Sequence, residues 1–94
     1  MTPELELHRA GRAKEVLENE VYQEAFEKIK AEIQHQWEAS PARDTEGREA
    51  LWLMQSLLKK LQTTLEHTMA SGELAKAELR HRQTMTERAR AWLG

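Results

Sequence analysis

Two Glu-x-x-His spacings, Glu32 with His35 and Glu78 with His81, are the residue pairs that come nearest to a metal site. Helical bundles that hold a di-iron centre place such pairs on two helices, with every ligand facing inward. At 100° per residue, His35 falls roughly 140° from the centre of its own helix's apolar side. Because an outward imidazole cannot ligate a metal in the core, we predict no metal site and no cofactor.

The sequence also lacks the motifs of common catalytic sites. It has no Gly-x-Ser-x-Gly elbow, no phosphate-binding glycine loop and no dinucleotide fingerprint. The absence of cysteine excludes a thiol nucleophile, a disulfide scaffold and a cysteine-ligated zinc. Acids such as Glu24 lie four residues from bases such as Lys28, the usual spacing of exposed ion pairs on a helix. We therefore predict no catalytic residues and a protein that is not an enzyme.

The elements that position these residues follow from composition and length. The chain has 94 residues, of which 39% are hydrophobic and 32% charged, and only four are glycine and two proline. This length fits one domain, residues 1–94, and the abundance of helix formers predicts an all-α fold. No apolar run is long enough to span a bilayer, and residues 1–4 do not resemble a signal peptide. We expect a cytoplasmic protein without a membrane partner.

Capping residues divide the first half of the chain into two helices. Thr2 is a predicted N-cap, with Pro3 at the first helical position, and the helix is expected to end near Leu17, within an N-terminal segment 1–18. Asn19 is the predicted cap of a second helix over 20–39. Ser40-Pro41 ends that helix, since the residue before proline is pushed out of the α region.

Apolar spacing predicts that the second and third helices form an antiparallel hairpin, residues 19–71, as the core of the fold. After a short polar loop, Asp44 or Thr45 is expected to cap the third helix. The apolar face of the second helix comprises Val21, Tyr22, Ala25, Phe26, Ile29, Ile33 and Trp37. The third helix carries a coiled-coil heptad seam of Leu51, Met54, Leu58, Leu61 and Leu65, with Thr68 next in register.

The segment 72–94 is predicted to form a polar, basic C-terminal helix. Ser71-Gly72 resembles a helix stop with glycine as the cap, so a fourth helix either begins at Glu73 or continues the third. Its apolar residues are too sparse to bury much within one chain. The helix therefore packs on a neighbouring subunit, binds a partner or stays partly mobile. Leu74, Met85 and Trp92 are its candidate interaction residues, and we expect an oligomeric fold.

Trp52 is the most informative single residue of the sequence. It lies roughly 150° from the heptad seam and shares its side of the helix with polar residues. A tryptophan on such a face is either covered by the first helix or presented to another chain, where tryptophan often anchors an interface. We include it among the candidate interaction residues.

Charge is distributed unevenly along the chain. Residues 1–39 hold nine acids and five bases, whereas residues 73–94 hold five bases and three acids. The C-terminal bases are candidates for contact with nucleic acid or an acidic partner. They are Lys76, Arg80, Arg82, Arg88 and Arg90.

The middle of the chain resembles a family of small helical proteins encoded in tailed-bacteriophage and prophage genomes. The similarity covers residues 13–75, about two-thirds of the chain. Its most specific part is the stretch from Asp44 to Trp52. The pattern consists of Ala25-Phe26, Trp37-Glu38, Ser40-Pro41-Ala42-Arg43-Asp44-Thr45-Glu46-Gly47-Arg48-Glu49 and Leu51-Trp52. The resemblance implies a phage origin near the head and packaging genes, and it supplies no catalytic residues.

Three hypotheses about function follow. The first is a non-enzymatic phage protein that self-associates or docks on another protein in virion assembly or genome packaging, in the host cytoplasm or the virion. The second is a small phage antagonist or adaptor that binds and modulates a host protein. The third is a nucleic-acid accessory factor that uses the basic C-terminal helix.

Overall fold

A computed structural model describes residues 2–93, which form three α-helices. They are α1 (Pro3–Glu18), α2 (Glu20–Ala39) and α3 (Thr45–Leu93). No β-strand lies within the described residues, so the predicted all-α class is confirmed. Residues 1 and 94, the ends of the predicted domain, lie outside the described range.

The capping residues predicted from the sequence start α1 and α2. The Thr2 hydroxyl accepts a hydrogen bond from the backbone N–H of Leu5 at 3.2 Å, and Asn19 Oδ1 accepts one from the backbone N–H of Tyr22 at 2.9 Å. These bonds satisfy N–H groups that have no partner within the helix. Asn19 is extended at φ −68° and ψ 123°, and it therefore separates two helices that would otherwise be one.

The third helix continues through Gly72 to Leu93, a length of 49 residues. The predicted stop at Ser71-Gly72 is therefore wrong, and the alternative of a continuous third helix is the one observed. No glycine in residues 2–93 has a positive φ, so Gly72 is not the left-handed residue that ends a helix. The heptad register explains the continuity, because Leu65, Gly72 and Leu79 follow at intervals of seven.

The helices α1 and α2 run one after the other along α3, in the opposite chain direction. Glu4 in α1 contacts Arg82 near the C-terminal end of α3. Tyr22 in α2 contacts α3 closer to its N-terminal end, where the Tyr22 hydroxyl lies 3.3 Å from Gln62 Oε1. The Cα atoms extend over 77 × 25 × 15 Å, with a radius of gyration of 21.4 Å. A compact chain of this length has a radius of gyration of about 12 Å. The molecule is therefore a rod two helices wide.

The helices approach closely where α1 crosses α3. We call Ala10, Ala13, Gly72 and Ala75 the small-residue seam; all four are buried. A Cβ atom added to Gly72 would overlap the Cβ of Ala10. Gly72 therefore provides the space that lets α1 lie against α3.

Arg48 and Asp44 hold the loop between α2 and α3. The Arg48 guanidinium lies 4.0 Å from the centre of the Trp37 ring, and its Nη1 donates hydrogen bonds to the carbonyl and hydroxyl oxygens of Ser40. Asp44 Oδ1 accepts a hydrogen bond from the backbone N–H of Gly47 at 3.1 Å. Asp44 is thus the residue that caps α3, one of the two candidates predicted.

Few large side chains are buried in this rod. The buried hydrophobic residues are Ala10, Ala13, Ile33, Leu51 and Ala75. Three of the five are alanines, and α1 is the main partner of α3. That the hairpin of the second and third helices, residues 19–71, is the core of the fold therefore stays a prediction.

Candidate protein-interaction surfaces

Six large apolar side chains are exposed in the middle of the rod. We call them the central face: Val21, Ile29, Leu53, Met54, Leu57 and Leu61. Their exposed fractions range from 45% for Ile29 to 73% for Val21. Scattered exposed apolar residues are ordinary, whereas a group of neighbouring ones is a candidate interaction surface.

The residues of the central face lie on the same side of the α2–α3 pair. An open groove on the other side is lined by Lys30 from α2 and Lys59 from α3. Around the axis of α2, Ile29 lies about 100° from Lys30, and around the axis of α3, Leu57 lies about 160° from Lys59. On each helix, the residues that contact the other helix lie between the two positions. Because the two helices are antiparallel, residues turned away from the groove share the opposite side. The central face is therefore one surface built by two helices.

The apolar spacing predicts that part of the central face is buried in the core, and it was not used to identify the rest. Met54 and Leu61 were predicted in the buried seam, but each is 49% exposed. Leu53 and Leu57 were not assigned to any surface. The spacing Leu53, Leu57, Leu61 is the signal that identifies them, since three leucines four residues apart form a second stripe beside the seam. Together the two stripes cover an arc of about 160°, wider than the stripe that one neighbouring helix buries.

Trp52 lies outside the central face. Its side chain is 59% exposed and lies about 140° around α3 from Leu57. The first helix does not cover it, since α1 lies against α3 around Gly72 and Lys76. Of the two alternatives given for Trp52, coverage by the first helix is not observed, and presentation to another chain stays a prediction.

The other candidate interaction residues lie toward the C-terminal end of α3. Leu74, Met85 and Trp92 are all exposed, Trp92 to 87%. Since Glu4 in the first turn of α1 contacts Arg82, the part of α3 beyond residue 82 extends past the end of α1. Every residue from 83 to 93 is exposed. This end of the helix has no partner within the described chain.

The five candidate basic residues do not form one patch. Arg82 lies 3.7 Å from Glu4 and 3.2 Å from Glu78, so carboxylates partly neutralise its charge. The other four, Lys76, Arg80, Arg88 and Arg90, are exposed along four turns of α3. Lys76, Arg80 and Arg90 fall within about 80° around the helix axis but are spread over about 20 Å along it, and Arg88 lies about 80° farther round. Contact with nucleic acid stays a prediction.

No metal-binding or membrane-spanning feature is present in the described residues. Glu32, His35, Glu78 and His81 are exposed, and between residues 2 and 93 no three histidine, aspartate or glutamate side chains converge as metal ligands. None of the three helices combines the length and apolar content that a bilayer crossing requires.

Comparison with known proteins gives no family for this chain. No protein-family model matches it, and neither a curated protein nor a solved structure matches it. The proposed function therefore depends on the exposed surfaces and on the residues that form them.

Proposed function

We propose that this chain is a non-enzymatic helical protein that works by self-association, with virion assembly or genome packaging in a tailed phage as its setting. The central face is the observation that carries the proposal. The phage setting depends on the resemblance of residues 13–75 and is separable from the self-association.

The exposed area of the central face is of the size that binding of a second copy requires. Fully burying a side chain of this size contributes about 1.5–3 kcal/mol, so the exposed halves of six contribute roughly 5–9 kcal/mol per copy. Two copies together gain about twice that amount. Joining two molecules costs about 4–15 kcal/mol in lost freedom of motion. The two ranges overlap, so the gain from complete burial is comparable with that cost or larger.

The shape of the monomer supports the same proposal. A rod two helices wide buries few side chains, because each helix has only one neighbour at any point along the rod. Small folds with little core are commonly stabilised by association. A second rod packed on the central face would enclose Met54 and Leu61, the two residues of the predicted seam that are half exposed here. The heptad seam would then be buried in the assembly.

A pair of leucine variants tests the proposal. Leu57 and Leu74 are both in α3 and have similar exposure, 66% and 75%, but only Leu57 belongs to the central face. We expect Leu57→Gln to lower the mass measured by sedimentation velocity. Leu74→Gln tests the competing candidate surface on the C-terminal part of α3, and we expect it to leave the mass unchanged. Equal masses for the unmodified chain and both variants would refute the role of the central face. A lower mass with Leu74→Gln alone would show that the copies contact each other through the surface around Leu74 and not through the central face.

The exposure of Trp52 favours a second candidate function, docking on a different protein as an adaptor or antagonist. Trp52 is separate from the central face, so a partner bound there leaves self-association intact. We expect Trp52→Ala to abolish retention of that partner from host lysate while the mass of the purified chain stays the same. If Trp52→Ala lowers the mass instead, Trp52 belongs to the contact between copies.

A further inference from the structure

Three of the four α3 residues of the central face form a stripe that is symmetrical about Leu57; the fourth, Met54, mirrors onto Lys60 and lies outside this stripe. Leu53 and Leu61 lie four residues to either side, and the smaller residues Ala50 and Thr64 lie seven residues to either side. In a two-fold symmetric contact, residue i of one copy meets residue j of the other, and j meets i. A stripe that is symmetrical about its middle residue meets this requirement when the helices are antiparallel.

The two helices contribute unequally to the central face. On α3 a large apolar side chain recurs in every turn from Leu53 to Leu61. On α2, Val21 and Ile29 lie eight residues apart, with only Ala25 between them. The strongest contact therefore forms when α3 of one copy lies on α3 of the other.

We infer that two copies bind through the central face in an antiparallel dimer, with the two-fold axis crossing α3 at Leu57. The inference rests on the self-association proposed above and specifies the partner and its orientation. Leu57 then meets Leu57 of the second copy, and Leu53 meets its Leu61. The α2 helix of one copy also lies antiparallel on α2 of the second copy. The result is a four-helix bundle in which neighbouring helices are antiparallel.

Charge supports the antiparallel orientation over a parallel one. Residues 73–94 carry five bases and three acids. A parallel dimer brings both of these basic ends to the same end of the assembly, where they repel each other. An antiparallel dimer places them at opposite ends, beyond the range over which charges interact in physiological salt. The overlap covers about 25 residues of α3, or roughly 37 Å.

Distances between spin labels distinguish the two orientations. The chain has no cysteine, so Lys60→Cys and Lys76→Cys each give one labelling site, and both lysines are exposed. In the antiparallel dimer, residue 76 lies 38 residues along the rod from residue 76 of the second copy, which is about 57 Å. The corresponding separation for residue 60 is six residues, or about 9 Å along the rod. A parallel dimer gives no axial separation at either site.

We expect pulsed electron paramagnetic resonance to give a distance of about 50–65 Å for Lys76→Cys and below about 30 Å for Lys60→Cys. Light scattering on the same labelled samples reports the mass. Short distances at both sites in a sample of dimer mass would overturn the antiparallel arrangement but leave self-association standing. A monomer mass would overturn both. Two long distances would place the axis away from Leu57 and overturn the inference.

Discussion

Replacement of Gly72 by alanine tests the small-residue seam directly. In an ordinary exposed helix position, glycine to alanine stabilises by about 0.8–1.0 kcal/mol, because alanine loses less backbone freedom on folding. At Gly72 the added methyl group would overlap the Cβ of Ala10, which has no rotamer that moves it aside. Overpacking of this kind costs about 1–3 kcal/mol. We therefore expect Gly72→Ala to lower the free energy of unfolding by up to about 2 kcal/mol, the difference between these effects.

Gly11 is the matched control for Gly72. It is also within a helix, and a Cβ added there would meet nothing within 4 Å. Only the gain in helix propensity applies, so Gly11→Ala is expected to raise the free energy of unfolding by about 1 kcal/mol. The assay is urea unfolding followed by circular dichroism. All variants are compared at one protein concentration, because self-association makes stability depend on concentration.

The opposite signs of the two substitutions are the decisive result. If Gly72→Ala stabilises the chain as much as Gly11→Ala does, α1 does not approach α3 closely at Gly72. That result would refute the small-residue seam. A double variant provides a further check, since Ala10→Gly removes the methyl group that Gly72→Ala would meet. We expect Ala10→Gly to be less harmful in combination with Gly72→Ala than alone, a coupling that independent sites do not show.

Three further predictions concern the ends of the helices and the loop. Asp44→Ala should cost about 0.5–2 kcal/mol of unfolding free energy in urea unfolding, because the N–H of Gly47 loses its acceptor. Asp44→Asn should cost less, and equal losses would refute the capping role. Asn19→Ala should also cost about 0.5–2 kcal/mol of unfolding free energy, because the N–H of Tyr22 loses its acceptor at the start of α2. An unchanged free energy of unfolding would contradict this role of Asn19. Arg48→Lys should red-shift the Trp37 fluorescence, because a lysine cannot stack on the ring while donating to Ser40. In a background with the other two tryptophans replaced by phenylalanine, an unchanged spectrum would argue against the stacking.

The helix boundaries were predictable because local chemistry determines them. Thr2, Asn19 and the Ser40-Pro41 pair act on the few backbone groups beside them, and each is found where the sequence predicts it. Gly72 was misread for the same reason. A glycine is interpreted locally as a helix stop, whereas its role here is to make room for Ala10 on another helix.

The central face was only partly predictable, because burial depends on how many neighbours a helix has. The periodicity of α3 shows which residues are apolar, and Met54 and Leu61 were therefore assigned to the core. A single chain offers α3 one neighbour over this segment, α2, and one helix cannot cover an arc of about 160°. Leu57 could have been identified from its four-residue spacing to Leu53 and Leu61. That pattern does not reveal which molecule covers the stripe.

The absolute mass of the unmodified chain in solution tests the central claim most directly. Light scattering after size exclusion, at two loading concentrations, measures it without reference to shape, which matters for a rod 77 Å long. Self-association through the central face predicts a mass near twice the 10.9 kDa of one chain, or a higher multiple, with a decrease on dilution. A mass of one chain at both concentrations would contradict the account.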